Sequence, residues 1–74
     1  MSDDVAAVFS ALFNREISPD SDFSMDTEQE WDSMKHIEII MTLEEELGVS
    51  FDAADIPRLT SLKKIIQKVK EIKG

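Results

Sequence analysis

The sequence predicts an all-α domain of three main helices, one short helix and a long first loop. Two observations carry this. Apolar residues recur at helical spacing in three separate segments, each bounded by capping or stop residues. No segment alternates with period two over a convincing length. At 74 residues there is room for one small core, so residues 1–74 are expected to form a single domain.

The first helix is expected from Ser2, Asp3 or Asp4, any of which can cap it, to about Glu16. Val5, Val8, Phe9, Leu12 and Phe13 form its core stripe. From Ile17 to Trp31 the periodicity breaks. Ser18-Pro19-Asp20 is turn chemistry, and Ser, Asp and Glu dominate the stretch. This reads as a long loop holding at most one helical turn, with Ile17 and Phe23 as its anchors in the core.

A second helix is expected from about Ser33 to Leu47, capped by Asp32 or Ser33 and stopped by Gly48. Asp52 can cap a brief helix over Ala53–Ile56, and Pro57 argues against extension. Thr60 or Ser61 opens the last helix, whose stripe is Leu62, Ile65, Ile66, Val69 and Ile72.

The second helix carries more apolar surface than one core contact needs. With Met34 at zero and about 100° per residue, Ile39, Leu43, Leu47 and Ile40 fall between ~140° and ~240°. That is an ordinary core stripe. Ile37, Met41 and Met34 lie beyond it, from ~300° round to the origin, edged by Glu44, Glu45 and Glu38. Tight wrapping by neighbouring elements would bury them all; otherwise they form a docking strip for a partner with apolar pockets and a basic rim.

Charge and composition narrow the function classes. The net charge is −8, and residues 1–56 hold 15 acids against 2 bases. Residues 57–74 hold 6 bases and 1 acid, which suits the solvated face and dipole of a last helix. Such a field repels nucleic acid and anionic lipid. No apolar run approaches a membrane span, and the acidic N-terminus does not read as a signal peptide, so a cytoplasmic location is expected. The absence of Cys excludes disulfides and thiolate metal sites.

Two catalytic or binding patterns can be tested and dismissed. Asp32, Ser33 and His36 fall within one turn, but they project from one convex helix start with no pocket around them, so an intrinsic hydrolase is rejected. His36 is then expected at the surface or its edge. Asp20-x-Asp22-x-Ser24-x-Asp26 imitates a calcium loop, yet Met25 replaces the turn glycine and Trp31 stands at the twelfth position. No metal site is expected. Trp31 reads as an apolar lid or staple before the helix.

Asp32-Ser33-Met34 resembles the Asp-Ser-Leu motif of acyl carrier proteins, and the setting is similar over nearly the whole chain. A first helix, a long loop, the motif, a helix ending Glu44-Glu45-Glu46-Leu47-Gly48, a short helix and a final helix opened by Leu59-Thr60-Ser61-Leu62 follow in order. The resemblance implies a four-helix bundle. It implies no catalytic residues: a phosphopantetheinyl transferase (holo-carrier synthase) would move 4′-phosphopantetheine from coenzyme A onto Ser33, flanked by Asp32 and Met34. Acyl groups would ride on that arm as thioesters, in fatty acid, polyketide or related lipid biosynthesis. The alternative it implies is an aminoacyl (D-alanyl-type) or peptidyl carrier.

Ile37, Glu38, Met41, Glu44 and Glu45 would face loading ligases, synthases or transferases bearing basic patches, and a monomer is expected. A helix start favours the phosphodiester, and the polarizable Met34 beside it suits a gate over a core that opens to hold an acyl chain. Glu30-Trp31-Asp32-Ser33-Met34 lacks the glycine and the leucine of the usual Gly-x-Asp-Ser-Leu, and the loop from Phe23 to Asp32 is slightly longer than usual. These departures point to a specialised stand-alone carrier. The rival from another class is an acidic helical adaptor with no prosthetic group.

Overall fold

A computed structural model describes residues 2–73. Three α-helices and one 3₁₀ turn enclose a single core: α1 (Ser2–Phe13), α2 (Ser33–Leu47), a short 3₁₀ helix (Ile56–Arg58) and α3 (Leu62–Lys73). Among the described residues, extended pairing is limited to one isolated bridge between Ser24 and Ser61.

α1 buries Val5, Ala6, Val8, Phe9 and Phe13. It stops at Phe13, a turn before the expected Glu16. Asn14 adopts φ 55°, the left-handed conformation that Asn tolerates better than most residues. The Arg15 N–H then donates back to the Ser10 carbonyl at 3.1 Å, which closes the helix end as in a Schellman motif. Ser10 also accepts from the Ile17 N–H at 2.9 Å, so the chain turns directly into the loop.

The loop is anchored as the sequence suggests, with Ile17 and Phe23 buried. Thr27 and Glu28 N–H groups both donate to the Ser24 carbonyl, giving one turn. Two backbone bonds hold the loop to the start of α3: Leu62 N–H to Phe23 O at 2.9 Å and Met25 N–H to Thr60 O at 3.0 Å. The Arg15 guanidinium pairs with Glu28 and lies 4.9 Å from the centre of the Phe23 ring.

Phe9, Phe13, Phe23 and Trp31 form the aromatic heart of the core. Their centroids are 4.7–6.2 Å apart, and the closest contact is edge-on between Phe13 and Phe23. α2 contributes Ile39, Ile40 and Leu43, all buried, with Leu47 half-buried. Gly48 ends α2 at φ 64°, as expected of a left-handed stop.

The short helix is displaced from its expected place. Residues 53–55 form a turn, and the helix proper is Ile56–Arg58, with Pro57 inside it. Proline is tolerated in a first helical turn because its missing N–H would have had no partner there. Ser61 caps α3 by accepting from the Lys64 N–H at 3.2 Å. Leu62, Ile65, Ile66 and Val69 are buried, whereas Ile72, the fifth member of the expected stripe, is 39% exposed in the last turn.

Candidate functional site

Ser33 is the first residue of α2 and is exposed. Of the two capping residues the sequence allowed, the chain uses Asp32. Its carboxylate accepts from the Lys35 N–H at 2.8 Å, and its backbone is extended. The serine hydroxyl is thereby released from a structural duty. It projects from the positive end of the helix, where the N–H groups of Ser33 and Met34 have no carbonyl one turn behind them. An anionic ester on this hydroxyl would meet backbone donors and a favourable dipole.

His36 is where the structure departs most from expectation. It is expected at the surface or its edge and is 7% exposed. The Trp31 indole N–H donates to Nδ1 at 3.0 Å, and Nε2 lies 2.7 Å from the Ile56 carbonyl. Both ring nitrogens are committed inward, so neither can serve as a base for Ser33. The hydrolase reading fails on geometry. Buried Trp31, 2% exposed, is the lid the sequence suggested. The signal for His36 was available: two residues beyond Met34 it falls at ~200°, in the middle of the core stripe.

The surplus apolar residues of α2 are outside. Met34 is 82% exposed, Met41 63% and Ile37 57%. With Glu30, Asp32, Glu38 and Glu45 they line one open groove. Met34 therefore does not cover the core as an expected gate would.

The acids along this strip differ in their freedom. Glu45 is exposed. Glu38 pairs with Lys35 at 3.1 Å. Glu44, expected on the strip, is half-buried, and its carboxylate accepts from the Phe51 N–H at 2.8 Å. Its first task is to hold the segment after α2. Lys35 was not singled out from the sequence. Its ammonium bridges the Leu12 carbonyl (3.3 Å) and Glu38, which ties the end of α1 to the start of α2. Among the described residues, no three His, Asp or Glu side chains are grouped so as to hold a metal ion.

A family model described as "phosphopantetheine attachment site" matches residues 3–69. The chain belongs to this family. The match runs from the start of α1 through the long loop and α2 into α3, so the fold expected from the acyl-carrier resemblance and the family it named both hold. Among curated proteins and solved structures, none matches. A phosphopantetheine-attachment domain carries its 4′-phosphopantetheine covalently, and the carrier role follows from it. The group supplies the thiol that a chain without cysteine cannot. No helix among the described residues is long and apolar enough to cross a membrane.

Proposed function

We propose that Ser33 is the attachment residue, and that this carrier delivers acyl intermediates to partner enzymes of fatty acid, polyketide or related lipid biosynthesis. The observation that supports it is the division of labour at the start of α2. Asp32 caps the helix, leaving an exposed serine hydroxyl at its positive end. In the loading step the Ser33 oxygen bonds to the phosphorus bearing the pantetheine unit of coenzyme A. The diphosphate linkage breaks, adenosine 3′,5′-bisphosphate leaves, and the transferase takes the hydroxyl proton. Residues 1–74 act as one carrier domain in this reading, without chemistry of their own on the thioester.

The partners are a phosphopantetheinyl transferase and loading or synthase enzymes with basic patches. Met34, Ile37 and Met41, edged by Glu38 and Glu45, support docking along α2. An aminoacyl or peptidyl carrier is the second reading, favoured by Glu30 and Met34 where the common fatty-acid motif has glycine and leucine. Incubation with coenzyme A and a broad-specificity transferase, read by intact mass, tests the attachment. The expected result is a gain of one phosphopantetheinyl unit, lost in Ser33→Ala. A gain that persists in Ser33→Ala sinks the assignment.

A further inference from the structure

A long alkyl chain tethered at Ser33 gains by leaving water, since each buried methylene is favourable. To do so it needs an openable seam in the core, and one seam beside Ser33 lies between α2 and residues 48–59. Two hydrogen bonds cross it, and a third, from Trp31 in the loop, braces the imidazole that makes one of them. Trp31 N–H reaches His36 Nδ1 at 3.0 Å, His36 Nε2 reaches the Ile56 carbonyl at 2.7 Å, and Phe51 N–H reaches Glu44 at 2.8 Å. The two bonds of His36 lie within one turn of Ser33; that of Glu44 is two turns further along the same helix. Val49, Phe51 and Leu59 pin the same segment into the core.

The chemistry of this lacing matters more than its number. An alkyl guest wedged beneath α2 would separate the indole N–H, the imidazole and the Ile56 carbonyl. It would give each nothing in return. Buried polar groups stripped of partners are costly, and an alkyl chain can make no hydrogen bond. An all-apolar seam would open without that penalty. Met34, which could have shielded an entrance, is turned to solvent.

We infer that the Trp31–His36–Ile56 latch closes the core to cargo, and that this carrier serves short or polar acyl groups, aminoacyl groups among them, held outside the bundle. The inference rests on Ser33 as the attachment residue. It also narrows the cargo left open above: long-chain lipid intermediates are excluded, and short acyl or aminoacyl units remain.

The test is a chain-length series. A promiscuous transferase loads the full chain from acetyl-, octanoyl- and dodecanoyl-coenzyme A, and intact mass verifies one unit on the native chain and none on Ser33→Ala. Failure to load overturns the attachment reading and this inference with it. On loaded protein, native hydrophobic-interaction retention should climb steeply with chain length, because the alkyl group stays in water. The thermal midpoint should stay within about 2 °C across the series. Flat retention, with a midpoint rising on the order of 5 °C or more from acetyl to dodecanoyl, overturns the inference while leaving Ser33 intact. The double variant Trp31→Phe, His36→Leu removes the polar side-chain atoms of the latch and should acquire chain-length dependence. A folded double variant indifferent to chain length would refute the latch; if it fails to fold, the native series still decides.

Discussion

Trp31 donates its indole N–H to His36 Nδ1 at 3.0 Å, and this one bond fixes the state of the imidazole. A nitrogen that accepts carries no hydrogen, so the ring proton is on Nε2, where it donates to the Ile56 carbonyl at 2.7 Å. The end of the long loop, the start of α2 and the 3₁₀ helix are thus joined through one side chain. Trp31→Phe keeps the ring contacts but leaves Nδ1 buried without a donor, at a cost of about 1–2 kcal/mol. His36→Ala removes both bonds and opens a cavity, so about 3 kcal/mol is expected. Urea unfolding followed by far-ultraviolet circular dichroism measures both. A His36→Ala loss below about 0.5 kcal/mol would contradict the bridging role.

Asp32 and Ser33 are adjacent yet should separate cleanly by mutation. Asp32→Ala removes the acceptor of the Lys35 N–H and should cost about 1 kcal/mol of stability. Ser33→Ala touches no capping bond and should stay within about 0.5 kcal/mol of the native chain while abolishing phosphopantetheine loading. The same unfolding curves, paired with intact mass, read both. A Ser33→Ala variant destabilised as much as Asp32→Ala would return the serine to the role of helix cap.

The helices were legible because their signals are local. Asp32, Ser61 and Gly48 cap or stop where side-chain chemistry requires, and angular position set Met34, Ile37 and Met41 apart from the core stripe, though only packing decides that they are exposed. What stayed hidden depends on partners distant in sequence. His36 is buried because Trp31 and Ile56 satisfy it, the latter 20 residues away. A lone histidine between Lys35 and Ile37 reads as surface unless its angle is weighed above its polarity. Glu44 looked like one more acid on a docking face because nothing in its own helix reveals the Phe51 N–H. The end of α1 was missed for the opposite reason. Asn14 carried a local stop signal that apolar periodicity did not register.

Lys68 gives the fold an alkaline sensitivity. Its ammonium lies 2.9 Å from Asp55, the residue preceding the 3₁₀ helix, and 3.9 Å from Glu71. The hydrogen bond that its ammonium donates to the Asp55 carboxylate raises its pKa above the ordinary 10.5, with burial opposing. A lysine whose folded pKa is raised contributes stability that is fully present below its unfolded value and lost as pH rises through the folded one. The difference in unfolding free energy between the native chain and Lys68→Gln should therefore be constant at neutral pH and shrink above about pH 10.5. A difference that persists undiminished to pH 12 would mean that the pair is not what couples α3 to the 3₁₀ helix.

Glu44 and Glu45 are neighbours with opposite commitments, and this decides how docking on α2 should be probed. Glu44 holds the Phe51 N–H, so Glu44→Lys would leave that donor unpaired and lower stability whatever it does to partners. Glu45 is exposed beside the apolar strip, so Glu45→Lys changes the field of the strip and little else. If partners approach through a basic patch, Glu45→Lys should lower kcat/KM for the transferase on the order of 3–10-fold at low salt. The defect should shrink as salt screens it. The thermal midpoint should move little, because exposed substitutions rarely change stability by more than about 0.5 kcal/mol. Glu44→Lys should instead lower the midpoint and slow transfer together. Loading kinetics of the two variants across a salt series, alongside thermal melts, separate these effects. A salt-independent defect in Glu45→Lys, or none at all, would remove the acidic strip from the docking surface.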